Sequence, residues 1–400
     1  MHHRLVAAGR GTAPARCTAP RAVILSGSLG SGHDIIAEAV TGSLARLGWE
    51  SRTLDCMGLL GNRAGQAGDW VFRRLTAMPG AYDGLHFAHL RPGSRLARAM
   101  DELATSRLVP ALHTELLRDP ADLIIAVFAT GASAAAQLAE SAWGARTVML
   151  CADAVPHSLW VRDGIDLFLV TSAAAATAVR RYVPRARTRV VPPPVRPGFY
   201  CPAPQAEARR SLGIPGYAQC ALLMGGGWGL GPLEHAAHAL AEAGVHVLAV
   251  AGRNSRLAAR LEALARRAPR VHPFGFTGRI VELMSACDVV VTLPGATTCA
   301  EARVMGRRLV LLDAMPGHGR ENLQHEVELG GADVCGPRPP DLTAVVLAAL
   351  DRARRPLPGG GRPAGEWDRA FAAALASIGL DLAPPGDLQT TRASQEDGCR

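Results

Sequence analysis

The chain contains no lysine: all 43 of its Lys/Arg positions are arginine, which excludes the phosphate-gripping lysine of a Walker loop. Aromatic residues are scarce as well, at 4%, and with no recognisable nucleic-acid motif this argues against a nucleic-acid partner. No apolar run approaches the ~18 residues of a membrane-spanning helix, and the N-terminal Met1-His2-His3-Arg4 leads into no apolar signal core. The expectation is a cytoplasmic protein. The 9 cysteines include no C-x-x-C pair and several fall inside apolar segments. Neither a disulfide frame nor a zinc site is indicated, and no metal ligands are assigned.

What is present is enough for large cores. A 400-residue chain with 48% hydrophobic content fits two domains of roughly 150–200 residues. Its net charge of +8 suits an anionic membrane surface or anionic small substrates.

Residues 1–20 lack periodicity and read as a disordered leader. From Arg21 the chain alternates short β-branched runs with amphipathic stretches, the pattern of a parallel α/β sheet. Arg21–Ser26 leads into Gly27-Ser28-Leu29-Gly30-Ser31-Gly32-His33 and a helical pattern ending at Gly48, so His33 stands at a helix start where a ligand on the loop can meet it. The spacing is not G-x-G-x-x-G, so no dinucleotide fingerprint is present. Residues 61–120 break the alternation: apolar Trp70, Val71, Phe72, Leu75, Met78, Tyr82, Leu85, Phe87 and Leu90 are interleaved with Arg91, Arg95, Arg98 and Arg107. Two readings stand, a helical insertion with solvated arginines or a face lying on an anionic membrane. Alternation resumes at Asp122–Val127, with a helix after Gly131 and a strand at Thr147–Leu150. The next loop offers Asp153 and His157 as an acid/base pair and Trp160 as an apolar wall, or else a cap, a surface histidine and a packed ring.

Val190–Pro197 is too proline-rich for helix or central sheet and reads as a linker. The alternation then repeats, with its own Gly-rich loop at Gly225–Gly231, Arg253 after the next strand, and a strand Asp288–Thr292 followed by Leu293-Pro294-Gly295-Ala296-Thr297-Thr298. A loop at a helix N-terminus binds anions, and Glu301 one turn into that helix is near enough to accept from sugar hydroxyls. The reading is a nucleotide-diphosphate site. Further on come Met315-Pro316-Gly317-His318-Gly319-Arg320-Glu321-Asn322, with a helix expected from Asn322, and a closing amphipathic helix at 366–380. Residues 381–400 read as a disordered tail. The expected division is 1–20 leader, 21–191 first α/β domain, 192–204 linker, 205–353 second α/β domain, 354–380 loop and closing helix, and 381–400 tail.

The motifs Gly225-Gly226-Gly227-Trp228-Gly229, Ala251-Gly252-Arg253-Asn254, Phe274-Gly275-Phe276 and Pro294–Thr298 with Glu301-Ala302 resemble the C-terminal donor domain of glycosyltransferase family 28. Within it the similarity is to the monogalactosyldiacylglycerol synthase and diacylglycerol glucosyltransferase group. Ser28–His33, Asp153…His157…Trp160 and Pro194-Val195-Arg196-Pro197 with Phe199 resemble that group's N-terminal elements, and the match spans approximately residues 21–350. The resemblance implies a GT-B fold, with two Rossmann-like parallel-sheet domains facing a central cleft and a C-terminal helix after the second. It implies inverting transfer of a hexose from a UDP-sugar to a lipid hydroxyl, diacylglycerol first, without cofactor or tightly bound metal, and a peripheral place on the inner face of the cell membrane.

In that scheme the uracil rests near Phe276 and Glu301 binds the ribose. The diphosphate lies on Gly295, Ala296, Thr297 and Thr298 and on the Gly226–Gly227 loop, with Arg253 as countercharge, and His318 and Asn322 face the sugar. His33 is the first candidate for the base that deprotonates the acceptor, Asp153 and His157 the second, and Gly30, Gly32 and Trp160 line the acceptor side. The chain departs from the family pattern at Ala296, at Leu293, at Ala129-Thr130-Gly131 and at His318-Gly319, the last where the sugar is read. A polyprenyl-linked or soluble acceptor, an epimerase and a nucleotide-sugar-binding protein on the same fold are the alternatives. The oligomeric state is left open.

Overall fold

The computed structural model describes residues 19–27, 32–61, 70, 74, 78–140, 144–336, 339–353, 363 and 365–380. Gly30 and the rest of 28–31, Val71, Phe72, Leu75, residues 1–18, most of 354–364 and the segment 381–400 lie outside them.

The first unit runs β1 (Arg21–Ser26), α1 (Gly32–Arg46), β2 (Glu50–Asp55), α2 (Cys56–Leu59), α3 (Pro79–Leu85) passing into a π turn at His86–Leu90, α4 (Arg95–Arg118), β3 (Leu123–Ala126), α5 (Ala129–Glu140), β4 (Arg146–Cys151), β5 (Leu167–Val170), α6 (Ala173–Tyr182) and β6 (Thr188–Val190). Its sheet has the order β2-β1-β3-β4-β5-β6, all parallel. The apolar runs are explained by this, since a parallel strand covered on both faces has no solvent side to be polar on. One face packs on α4, α5 and α6 through residues such as Leu112, Leu116 and Val179; the other packs on α1.

The second unit runs α7 (Gln205–Ser211), β7 (Cys220–Met224), α8 (Leu233–Glu242), β8 (His246–Val250), α9 (Ser255–Ala265), β9 (Val271–Phe274), α10 (Ile280–Ala286), β10 (Val289–Thr292), α11 (Ala296–Val304), β11 (Arg308–Leu312), α12 (His318–Glu328), β12 (Ala332–Cys335) and α13 (Pro339–Ala353). Its sheet order is β12-β11-β10-β7-β8-β9, again parallel throughout. The connections diverge between β7 and β10, and in open α/β sheets ligands bind beyond the strand ends at such a point. The Gly225–Gly231 loop and the Leu293–Gly295 turn both leave the sheet there.

The last described helix, α14 (Glu366–Ala376), does not stay with the second unit. Trp367, Phe371 and Leu375 are buried against Ile36, Val40 and Leu44 of α1, the Trp367 indole donates to Ser43 Oγ at 2.7 Å, and Arg46 pairs with Asp368 at 2.6 Å.

Two helix starts differ from the sequence reading. Helix α11 begins at Ala296, so Thr297 and Thr298 form its first turn and are not loop residues. Helix α12 begins at His318, four residues before Asn322. The glycines that read as loop have packing duties here. Gly317 (φ +63°) caps the helix where a Cβ would meet the Tyr82 ring at 2.4 Å, and at Gly319 a Cβ would meet Met315 at 2.5 Å.

The described part of 61–120 is helical. Ser94 caps α4 by accepting from the Ala97 N–H, and Leu108, Leu112 and Leu116 are fully buried. Leu96, Met100 and Leu103, spaced i, i+4, i+7, are instead about half exposed. Both readings of this segment therefore have a face: one packs, the other is open and apolar.

Candidate active site

The residues expected to bind the donor gather at the switch point of the second sheet. Gly295, three residues past the end of β10, caps α11 without a side-chain hydrogen bond. The N–H groups of Ala296, Thr297 and Thr298 have no acceptor among the described residues, which leaves a cluster of donors at the positive end of a helix. Opposite, the Leu230 N–H donates to Gly225 O at 2.9 Å and the Arg253 N–H to Gly227 O at 2.8 Å, tying the Gly-rich loop to the turn after β8. The Arg253 guanidinium lies 4.4 Å above the Phe276 ring, which is exposed.

Glu301 is buried, and its Oε1 accepts from both Nε (3.1 Å) and Nη2 (2.8 Å) of Arg196 in the proline-rich linker. Burial pushes its carboxyl up to about 7 against the pull of the Arg196 charge. Arg196 is a partner that the sequence reading placed in a motif without giving it a role.

The catalytic candidates of the first unit converge on α12. Asn322, expected to face a sugar, has its amide committed across the units: Oδ1 accepts from the Ala154 N–H at 2.8 Å and Nδ2 donates to Asp153 Oδ1 at 3.1 Å. His318 Nδ1 is 3.0 Å from the Tyr82 hydroxyl. Glu321 accepts from Arg91 Nε at 2.9 Å and pairs with His86 Nε2 at 3.1 Å, while Asp83 accepts from the Gly317 N–H and pairs with Arg320. The insertion that broke the alternation is thus, beside the Asp153–Ala154 loop, a second contact of the first unit with α12. Tyr82, His86, Asp83 and Glu321 carried no sequence signal as site residues; only the apolar-basic mixture of 70–107 marked the segment.

His33 stands at the start of α1 with its ring centroid 5.3 Å from Phe128 and 5.8 Å from Trp160. Its Nδ1 is enclosed and has no hydrogen-bond partner among the described residues. Burial holds the imidazole below its ordinary value, the Asp153 and Asp34 carboxylates oppose this, and His318 adds to it. His318 is lowered for the same first reason. Burial beside His86 brings His157 down to about 3. His157 accepts from the Leu159 N–H, and its ring centroid lies 5.8 Å from that of His86. Burial, with Asp153 and Asp83 nearby, keeps Tyr82 protonated by raising its hydroxyl. Near neutral pH the imidazoles of His33, His157 and His318 are therefore unprotonated, and the Asp153 carboxylate bears on all three. Trp160, expected as an acceptor wall, is buried against His33 and His157, and Gly32 opens α1, where a Cβ would meet no described residue within 4 Å.

Comparison with known proteins bears on the fold and on the second unit. Residues 232–334 match the model of the glycosyltransferase family 28 C-terminal domain. That match lies within the second unit. Over 204 residues the chain is 32% identical to a probable chloroplastic monogalactosyldiacylglycerol synthase of Glycine max, a match of 48% of this chain and 38% of that protein. Over 185 residues it is 34% identical to monogalactosyldiacylglycerol synthase 1 of Arabidopsis thaliana, covering 44% of this chain and 34% of the relative. The matches thus span little more than a third of these relatives. Among solved structures, a UDP-glucosyltransferase from Polygonum tinctorium superposes with a TM-score of 0.59 at 12% identity, over 90% of this chain and 98% of that one. The two six-stranded parallel sheets are those of the GT-B glycosyltransferase fold, and the family 28 region contains α11, Glu301, His318 and Asn322.

Proposed function

We propose that the protein is an inverting glycosyltransferase that moves a hexose from a UDP-sugar to a lipid hydroxyl, diacylglycerol in the first instance. The observation that carries this reading is the Asn322 bridge: it joins the unit that holds the helix-end anion site, by hydrogen bonds to Asp153 and Ala154, to the Asp153–Trp160 loop of the first unit. Donor chemistry and acid/base chemistry share one cleft.

In the reaction the acceptor oxygen attacks the anomeric carbon as the bond to the UDP oxygen breaks, and the acceptor proton passes to His33. A neutral imidazole is suited to that step. The negative charge that develops on the leaving diphosphate meets the free N–H groups of Ala296, Thr297 and Thr298, fixed dipoles that need no reorganisation as the charge appears. Arg253 supplies a full countercharge, Phe276 a flat edge for the base, Gly226 and Gly227 close backbone approach, and Glu301 the ribose contact. His318 reads the sugar from the Tyr82 side. Transfer requires no cofactor in this scheme.

The lipid substrate fits the outer face of the insertion, where Leu96, Met100 and Leu103 form an apolar stripe flanked by exposed Arg95, Arg98 and Arg107. Such a face sits at an anionic membrane surface, with the arginines at headgroup level. Among the described residues no helix is long and apolar enough to cross a membrane.

The deciding experiment incubates purified protein with a panel of UDP-sugars and diacylglycerol vesicles, following UDP release and glycolipid by mass spectrometry. Acceptor-dependent UDP release with one of the sugars is expected; its absence with every donor would overturn the proposal.

A further inference from the structure

We infer that Arg196 is a positioning residue of the donor site, which from the linker between the units turns Glu301 so that one carboxylate oxygen is left for the nucleotide ribose. The inference rests on the donor reading given above and deepens it. Both guanidinium donors, Nε at 3.1 Å and Nη2 at 2.8 Å, converge on Oε1 of Glu301. Oε2 receives no hydrogen bond from any described residue. A symmetric fork engages both oxygens of a carboxylate; this one engages a single oxygen and leaves the other to accept. Arg196 is itself held in place, with its guanidinium carbon 5.0 Å over the Phe199 ring and Nη1 3.8 Å from Glu38 Oε2 on α1. Proline on either side of the Val195-Arg196 pair restricts the backbone that carries it.

The charged groups that bear on Glu301 are Arg196 from the linker and Glu38 from α1, of opposite effect, and burial outweighs both in setting its carboxyl. Without Arg196 the enclosed carboxyl keeps its proton to higher pH and offers ribose hydroxyls a poorer acceptor. Arg196 also touches α1 of the first unit through Glu38, so the ribose-binding geometry depends on where the two units stand relative to each other.

The test is calorimetric titration of the full chain with UDP and with 2′,3′-dideoxy-UDP, which lacks both ribose hydroxyls. Arg196→Gln is expected to weaken UDP about tenfold near neutral pH, the scale of one charge-assisted hydrogen bond, with part of the loss recovered at alkaline pH, and to leave dideoxy-UDP nearly unchanged. Arg196→Lys, which keeps a cation beside Glu301 and serves if the glutamine variant does not fold, should show the same contrast with a smaller loss. Equal losses for both nucleotides would assign Arg196 to the diphosphate or to general stability, and no loss would remove it from the site; either result overturns the inference. Failure of the donor reading looks different: the unaltered protein would not bind UDP, or Glu301→Ala would bind it as well as the parent.

Discussion

His33 and Glu301 are both ionisable groups held away from water, and burial moves them in opposite directions: the imidazole down, the carboxyl up. Each is thereby kept closer to neutral. For His33 this means an available base at physiological pH, and His33→Ala should lower kcat by about 10²–10⁴-fold, the range of a lost general base, with little change in UDP affinity. Steady-state kinetics beside calorimetry separates the two, and an unaltered kcat removes His33 from the mechanism.

The same shifts bear on stability. In the unfolded chain the imidazoles of His33, His157 and His318 take up protons near about 6.5, while in the folded protein all three resist, His157 down to about 3. Their contribution is therefore fully present above about pH 6.5 and declines as pH falls below it. Glu301, raised, works the other way over its own window, because the folded carboxyl binds a proton that the unfolded one releases. Three groups outweigh one, and the urea midpoint should drop between about pH 7.5 and about pH 5.5. A flat or rising midpoint would contradict the burial of this cluster.

At the level of elements, legibility in the sequence follows the range of the forces involved. Strands covered on both faces announce themselves as apolar runs, so β1, β3, β4 and β10 fall where the sequence puts them, and the glycines of 225–231 mark the loop after β7. Helix α4 is harder to read because its apolar residues serve two surfaces, Leu108, Leu112 and Leu116 inward and Leu96, Met100 and Leu103 outward, which blurs a one-sided pattern. The starts of α11 and α12 were misplaced because Thr-Thr and Gly-His-Gly read as loop chemistry when tertiary packing is not yet known. Contacts such as His86–Glu321, Asn322–Asp153 and Arg196–Glu301 join residues more than a hundred positions apart, and no local pattern encodes them.

Glu321 is the residue of α12 that docks the π turn after α3, beside the contacts that Tyr82 and Asp83 make from α3 itself. It holds Arg91 and the fully enclosed His86, and Glu321→Ala leaves both without their carboxylate at a cost of about 1–3 kcal/mol. Amide exchange over residues 79–91 should accelerate in that variant while β1 and β7 keep their protection. Unchanged exchange in 79–91 would mean that apolar packing alone seats the insertion.

For the whole molecule, the net charge of +8 and the open stripe on α4 concern the same question, how the protein would reach the lipid acceptor proposed above. Replacing Leu96, Met100 and Leu103 together with serine should weaken sedimentation with vesicles containing phosphatidylglycerol, and reduce glycolipid formation from vesicle-borne diacylglycerol more than from detergent-dispersed diacylglycerol. Equal vesicle binding by parent and variant would detach the stripe from this role. The two-sheet architecture was legible from the repeated alternation and the two Gly-rich loops. The return of α14 to α1 was not, since the sequence gives its amphipathic face without the surface it covers.

That return means the polypeptide passes between the units twice, once through the linker that carries Arg196 and once between α13 and α14. Two tethers restrict what one would allow. A single tether leaves twisting and sliding open as well as opening, whereas two attachment points define an axis and favour rotation about it, as paired straps do for a lid. Arg196 sits on one of the two crossings, and the other ends where α14 packs on α1.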